Sequence, residues 1–133
     1  MRKIEHIGIA VKDLNKSTVL FEKLLGERHF KTELVQGEKV ITSFFQVGET
    51  KIELLQATDE SSPIATYLEK KAEGVHHIAF DVKNIMEEVV RLKNEGFEIL
   101  NETPKLGADN KLVVFLHPRS TNGVLVELCQ ELG

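Results

Sequence analysis

The sequence predicts an α+β fold in which two tandem βαβββ modules form one curved mixed sheet. Residues 6–14 read HIGIAVKDL, and residues 77–85 repeat that pattern as HIAFDVKNI. Each copy is followed by an amphipathic helix pattern, by a glycine and then by β-rich sequence that ends in an apolar-Glu-Leu strand. No long flexible linker separates the copies, so we expect one domain over residues 1–133, with repeats at about 1–58 and 74–133.

The first module begins with a strand over residues 3–11, where side chains alternate between two faces. Asp13 can cap the helix that follows, and Gly26 is suited to end it, because glycine readily adopts the left-handed conformation found after helices. Three β-rich segments come next, and the last two are joined by a turn at Val47-Gly48-Glu49-Thr50. They lie near 29–35, 39–47 and 50–56.

A short connecting helix is expected over about 62–71, with Ser62 as its cap. The second module then starts with a strand over about 75–83. Asn84 is suited to cap the next helix and Gly96 to end it. Because three further strands are predicted, this module also reads as βαβββ. They lie near 97–101, 111–117 and 123–130.

The charge and hydropathy of the chain argue against nucleic-acid and membrane partners. The 17 basic and 21 acidic residues give a formal net charge of −4, and the basic residues are scattered. Because binding a polyanion requires clustered Lys and Arg, no nucleic-acid partner is expected. No stretch is apolar enough to span a membrane, and the N-terminus has no signal-peptide pattern, so no membrane partner is expected either. The single cysteine, Cys129, fits a reducing compartment, which predicts a cytoplasmic protein.

Each repeat also offers one histidine and one glutamate at matched positions. His6 and Glu53 are 47 residues apart in the first copy, and His77 and Glu127 are 50 residues apart in the second. Strand alternation places small residues beside each histidine, and both glutamates sit among apolar residues, where an uncompensated carboxylate is costly. Two modules related by a pseudo-twofold axis would bring the four side chains together as ligands of one divalent metal ion.

Simpler interpretations stay open beside this one. A histidine in a strand is more often structural than a ligand, a strand glutamate often faces solvent, and a repeat can be purely architectural. The coincidence of four matched positions is what favours the metal site. The repeat also distinguishes two adjacent histidines, because only His77 aligns with His6. His76 points to the opposite face and is expected to be structural or to support the site through a hydrogen bond.

The remaining histidines and the cysteine show no sign of direct chemistry. His29 and His117 have no counterpart in the other repeat and are expected to be structural. Cys129 shares the strand face of Glu127 but lacks any local nucleophile signature, which predicts a buried, inert thiol. The chain contains no P-loop and no Gly-rich dinucleotide fingerprint.

At these residues the chain resembles the vicinal oxygen chelate superfamily and, within it, the methylmalonyl-CoA epimerase family. The segment HIGIAVKDL at residues 6–14 is generic to the superfamily. More specific to the epimerases are the segments SPIA at 62–65, GVHH at 74–77 and FLHP at 115–118. The resemblance runs over nearly the whole chain and implies paired βαβββ modules forming a curved sheet around a metal.

The same resemblance implies the site and the reaction. It makes His6, Glu53, His77 and Glu127 the metal ligands, and their mixed N/O donors suit Co²⁺, Zn²⁺, Mn²⁺ or Ni²⁺. It implies a metal-dependent epimerase that inverts the α-carbon of methylmalonyl-CoA through a metal-stabilised enolate, with Glu127 as one acid/base. An acyl-CoA thioester substrate and a homodimer follow from the same likeness. The second acid/base is unassigned, because residues 39–42, comparable to a glutamate-bearing stretch in some epimerases, contain no carboxylate.

Two alternative functions stay open. A glyoxalase I (lactoylglutathione lyase)-type isomerase would use nearly the same ligands and similar proton-transfer chemistry. A metal-free small-molecule binding module of the same fold belongs to a different class, and the presence of all four His and Glu positions counts against it. One departure from the epimerases is Asp109-Asn110, where many of them have His-Gly, and its part in substrate contact is unassigned.

Overall fold

Two modules with the same connectivity make up this protein, whose computed structural model describes residues 1–133. Contacts divide the chain into an N-module, residues 6–76, and a C-module, residues 1–5 and 77–133. The strands are β1 (Lys3–Ala10), β2 (Lys31–Val35), β3 (Val40–Val47), β4 (Thr50–Ala57), β5 (Gly74–Asp81), β6 (Lys105–Leu106), β7 (Lys111–Leu116) and β8 (Val126–Glu131). The α-helices are α1 (Leu14–Leu25), α2 (Pro63–Lys70) and α3 (Ile85–Asn94).

In the N-module the strand order is β2-β3-β4-β1, to which β1 contributes its residues 6–10. β1 runs parallel to β4, with Gly8 opposite Glu53, whereas β3 runs antiparallel to β4, with Phe44 opposite Glu53. The apolar side of α1 packs on the sheet face that does not carry Glu53, because the residues on that face form a hydrophobic cluster with the helix. The buried members of this cluster are Val11, Leu14, Phe45 and Leu54.

The C-module has the equivalent order β5-β8-β7-β6. β5 runs parallel to β8, with Ala79 opposite Glu127, and β7 runs antiparallel to β8, with Phe115 opposite Glu127. The helix α3 packs on one sheet face through Ile85, Val89 and Leu92, against Val82, Val114, Leu116 and Leu128. Both modules therefore read βαβββ, which confirms the predicted α+β fold.

The predicted helix ends are confirmed where the sequence carried a capping signal. Oδ1 of Asp13 accepts a hydrogen bond from the N–H of Lys16 at 3.1 Å, and Oδ1 of Asn84 accepts one from Glu87 at 3.1 Å. Gly26 has a φ of 71°, the left-handed conformation expected of a residue that ends a helix. None of the three α-helices is long and apolar enough to cross a membrane.

The predicted strand near 97–101 is wrong. Only an isolated bridge forms there, between Ile99 and Leu116. The side chain of Asn101 explains the difference, since its Oδ1 accepts from the N–H of Phe115 at 2.9 Å and its Nδ2 donates to the carbonyl of Val113 at 3.2 Å. These side-chain bonds replace part of the backbone ladder. The outer strand of the C-module is instead the two-residue β6, paired with β7.

Candidate metal and catalytic site

The N-module brings His6 and Glu53 together. Nδ1 of His6 lies 3.1 Å from Oε2 of Glu53, and the side chains are only 5% and 3% exposed. The parallel pairing of β1 with β4 places Gly8 opposite Glu53. Because glycine has no side chain, the imidazole of His6 has room to reach the carboxylate.

The C-module repeats this arrangement with His77 and Glu127. Nε2 of His77 lies 3.2 Å from Oε1 of Glu127, and both side chains are 7% exposed. Ala79, another small residue, occupies the position opposite Glu127. The neighbouring His76 instead packs edge-on against the ring of Tyr67, with centroids 4.9 Å apart. Of the two adjacent histidines, His77 is thus the one that meets a carboxylate of the predicted set.

A phenylalanine lies opposite each glutamate on the antiparallel neighbouring strand, β3 in the N-module and β7 in the C-module. Phe44 lies opposite Glu53, and Phe115 lies opposite Glu127. The ring of Phe115 also stands edge-on to the ring of His77, with centroids 6.2 Å apart. Each carboxylate therefore has an aromatic neighbour across the strand pair.

A lysine lies over each of these two rings. Nζ of Lys31 is 4.7 Å from the ring centroid of Phe44, and Nζ of Lys105 is 5.5 Å from that of Phe115. Both distances fall within the range of cation–π attraction. The sequence pattern alone did not reveal this Lys-Phe repeat, although the two phenylalanines align once β3 and β7 are matched.

The C-module also buries charged side chains that the repeat did not single out. Nζ of Lys111 is 4.0 Å from Oε2 of Glu5, and these side chains are 8% and 4% exposed. Asp81, on the strand of His77, accepts a hydrogen bond from Nε of Arg2 at 2.8 Å. Each of these buried carboxylates has a cation beside it, as burial of charge requires.

The remaining histidines considered from the sequence, His29 and His117, form local hydrogen bonds, and Cys129 is buried. Nδ1 of His29 is 2.9 Å from Oε2 of Glu22, and Nδ1 of His117 accepts from the N–H of Arg119 at 3.0 Å. Cys129 is fully buried, and burial, reinforced by nearby carboxylates, raises the pKa of its thiol far above the ordinary value. A neutral, inaccessible thiol agrees with the predicted inert role.

The donor atoms fit a divalent cation. Each pair offers an imidazole nitrogen and a carboxylate oxygen, a set that suits Co²⁺, Zn²⁺, Mn²⁺ or Ni²⁺. Two donors held about 2.1 Å from one ion at a right angle are about 3 Å apart. The observed separations of 3.1 and 3.2 Å match this value. The same separations also match a hydrogen bond from the ring N–H to the carboxylate. Each His–Glu pair can therefore either bind a metal ion or form a hydrogen bond when no ion is bound.

Comparison with known proteins identifies the family. The family model of the glyoxalase/bleomycin resistance protein/dioxygenase superfamily matches residues 5–115. This chain belongs to that superfamily. The human mitochondrial methylmalonyl-CoA epimerase is 41% identical over 129 residues, covering 96% of this chain and 73% of the relative. The ethylmalonyl-CoA/methylmalonyl-CoA epimerase of Cereibacter sphaeroides is 41% identical over 130 residues, covering 96% of this chain and 97% of the relative.

A solved structure extends the likeness of this glyoxalase-superfamily member to three dimensions. A variant of the Streptomyces coelicolor methylmalonyl-CoA epimerase, in complex with 2-nitronate-propionyl-CoA, superposes with a TM-score of 0.95. It is 30% identical and covers 100% of this chain and 96% of its own. The resemblance stated from the sequence is confirmed, and so is the prediction of an epimerase-like isomerase.

Proposed function

We propose that this protein is a metal-dependent epimerase that inverts the α-carbon of methylmalonyl-CoA. The observation that carries the proposal is the buried His–Glu pair in each module, with separations of 3.1 and 3.2 Å. Relatives at 41% identity that are methylmalonyl-CoA epimerases support the choice of substrate.

Under this proposal His6, Glu53, His77 and Glu127 would hold one divalent ion. The two carboxylates would balance its two positive charges, and the two neutral imidazoles would complete a mixed N/O donor set. When bound, the ion would supply a Lewis acid for the negative charge that develops on the thioester oxygen as the α-proton leaves. Metal analysis would decide among Co²⁺, Zn²⁺, Mn²⁺ and Ni²⁺.

Glu127 is the proposed acid/base for one face of the α-carbon. Its carboxylate is buried, and Ala79 and Phe115 lie opposite it on the two adjacent strands. These apolar neighbours would limit access of water to the carboxylate while it removes the α-proton. Inversion also needs proton delivery to the opposite face, and that second acid/base, a side chain or a water, is unassigned.

A glyoxalase I-type isomerase is the second candidate, because the same four side chains would serve it. Its reaction moves a proton between adjacent carbons of a glutathione hemithioacetal, so the His–Glu pairs do not discriminate between the two reactions. The identities of the relatives favour the epimerase. A metal-free binding module would not need two buried carboxylates beside two histidines.

The first experiment combines metal analysis of the purified protein with turnover of two substrates. We expect about one divalent ion per chain and solvent deuterium uptake at the α-carbon of methylmalonyl-CoA. We expect no turnover of the methylglyoxal–glutathione hemithioacetal. Turnover of the hemithioacetal alone would favour glyoxalase I, whereas absence of both metal and turnover would favour the binding module.

The role of Glu127 is tested by Glu127→Gln. Loss of the acid/base should lower deuterium uptake by a factor of about 10²–10⁴. Glu131→Gln, at the exposed end of β8, is the matched control and should keep the wild-type rate. A Glu127→Gln enzyme with full activity would refute the proposed role.

The proposed partners are an acyl-CoA thioester, as substrate, and a second copy of the chain. Both rest on the family likeness. The cytoplasmic location is also a proposal, and it rests on the single cysteine of the chain. Sedimentation equilibrium tests the homodimer, because the particle mass should be twice the 15.0 kDa of the chain.

A further inference from the structure

Thr42 carries a polar group that the fold leaves unsatisfied. Its side chain is fully buried in the middle of β3, and its Oγ1 has no hydrogen-bond partner. A buried hydroxyl without a partner costs free energy, because it has lost its hydrogen bonds to water and gained none in return. An unsatisfied hydroxyl of this kind either forms a hydrogen bond with a bound ligand or is required by the packing of the fold.

The position of Thr42 links it to the candidate site. Thr42 lies opposite Leu55 on β4, and Phe44, two residues further along β3, lies opposite Glu53. Thr42 and Glu53 are therefore diagonal neighbours on one sheet face, with Cα atoms about 7–8 Å apart. The hydroxyl thus stands on the same face as the carboxylate proposed to bind the metal, one step further along the strand pair.

The surroundings of Thr42 offer few alternatives for its hydroxyl. The nearest residues on the same face of β3 and β4 are buried and apolar, namely Val40, Phe44 and Leu55. On β2 the polar residue Glu33 lies opposite Thr42, but its carboxylate pairs with Nζ of Lys31 at 3.4 Å and does not accept a hydrogen bond from the Thr42 hydroxyl. On the opposite face of this sheet, Oγ1 of Thr18 lies 2.8 Å from Oγ of Ser43, so the buried hydroxyls there satisfy each other. The unsatisfied hydroxyl is on the side that carries Glu53.

The second module provides an internal comparison. Val113 occupies the position equivalent to Thr42, since it lies two residues before Phe115, the phenylalanine opposite Glu127. Val113 is buried like Thr42 and nearly identical to it in shape. A hydroxyl at this position is therefore not needed to build the module.

We propose that the Thr42 hydroxyl donates a hydrogen bond to an oxygen of a malonyl-type thioester bound beside His6 and Glu53. The carboxylate and carbonyl oxygens of such a ligand are acceptors, which is what an unsatisfied O–H donor requires. Thr42 is then a substrate-binding residue that helps to orient the acyl group. This inference rests on the proposed function, and it adds a binding group that the His–Glu repeat does not contain.

Thr42→Val is the decisive variant, because it removes the hydroxyl and keeps the shape. We expect the KM for methylmalonyl-CoA to rise about tenfold, as loss of a hydrogen bond to a charged acceptor implies, with kcat changed much less. The melting temperature of the ligand-free protein should stay equal or rise, since an unsatisfied buried group is gone. Thr42→Ser should restore the wild-type KM.

Thr18→Val is the matched control, because it also removes a buried threonine hydroxyl from the N-module. It should lower the melting temperature, since it leaves Ser43 without its partner, and leave the KM unchanged. If Thr42→Val does not fold, Thr42→Ala removes the same hydroxyl and should show the same rise in KM.

A KM within about twofold of wild type in the hydroxyl-free variants would overturn the inference. Absence of turnover in the wild-type enzyme would instead refute the proposed function. In that case the rise in melting temperature caused by methylmalonyl-CoA still tests the hydroxyl. Equal shifts for wild type and Thr42→Val would overturn the inference, and a smaller shift for the variant would support it.

Discussion

The amide oxygen of Gln130 accepts a hydrogen bond from the backbone N–H of Ile85 at 2.8 Å. The N-module repeats this contact between Gln56 and Leu14 at 2.6 Å. Ile85 and Leu14 are the first residues of α3 and α1, whose first amides have no acceptor within the helix. Gln56 lies three residues after Glu53 on β4, and Gln130 lies three residues after Glu127 on β8. Each glutamine therefore ties the start of a helix to the strand that carries the glutamate.

Gln130→Ala should therefore lower the free energy of unfolding by about 1 kcal/mol, the usual cost of losing a helix N-terminal acceptor. Gln56→Ala should cost a similar amount, since the contact is equivalent. Urea unfolding followed by circular dichroism measures both. Gln36→Ala, at an exposed position, should change stability by less than about 0.5 kcal/mol. Losses no larger than that of the control would show that these contacts are dispensable.

Replacement of the two adjacent histidines should separate a ligand from a structural residue. His77→Ala should weaken the affinity for Co²⁺ by at least about 100-fold, because it removes a proposed donor atom and loss of a group that only orients a ligand already costs about 10–100-fold. His76→Ala should keep the affinity, since His76 packs against Tyr67 instead. Isothermal titration of the metal-free proteins compares the two variants. The reverse order of effects would mean that the wrong histidine had been chosen.

The buried ion pair of Lys111 and Glu5 predicts a large effect on stability. Lys111→Met should lower the free energy of unfolding by about 3–5 kcal/mol, because it leaves the buried Glu5 carboxylate without this cation. The double variant Glu5→Gln/Lys111→Met should recover a large part of that loss. Lys83→Met, at an exposed position, is the control. A double variant no more stable than Lys111→Met would mean that charge burial is not the cause.

Acid should weaken the contact between Glu98 and Arg119, which is formed by two hydrogen bonds of 2.8 and 3.0 Å. Hydrogen bonding to the Arg119 guanidinium lowers the pKa of Glu98 below its ordinary value. Because the folded-state pKa is the lower one, the stabilisation is present above the unfolded pKa of about 4.3 and is lost as the pH falls through the folded pKa.

The corresponding measurement is an NMR titration of the Glu98 carboxyl. Arg119→Ala should raise the pKa of Glu98 toward its ordinary value, whereas Arg91→Ala, which removes a similar contact to Glu88, should leave it unchanged. Both Glu98 and Arg119 are exposed, so the effect on global stability should be small. A pKa of Glu98 that does not respond to Arg119→Ala would contradict the assigned cause.

The parts of the site that repeat were accessible from the sequence. Matching the two copies selected His6, Glu53, His77 and Glu127, and the structure brings them into one His–Glu pair in each module. The same matching would have found Gln56 and Gln130, which follow the two glutamates at equal spacing. The contact of each glutamine with a helix amide depends on backbone geometry that the sequence pattern does not contain.

Other features could not be read from the pattern. Thr42 was singled out by two observations, its position beside Glu53 in the strand register and the lack of a hydrogen-bond partner for its hydroxyl. Both observations depend on the three-dimensional structure. The strand predicted near 97–101 fails because the side chain of Asn101 competes for backbone groups, an interaction that alternation of apolar residues does not reveal. The pair of Glu5 and Lys111 joins residues more than a hundred positions apart.

Residues 1–5 belong to the C-module, where the backbone N–H of Arg2 donates to the carbonyl of Asp81 at 2.8 Å. During translation these residues leave the ribosome well before Asp81 has been synthesised. The N-module can begin to fold in that interval, whereas the C-module must wait for its own strands to emerge before it can bind residues 1–5. A gene divided between the two repeats would therefore produce a C-module that lacks residues 1–5. The two halves of this duplicated chain are consequently not independent folding units of equal composition.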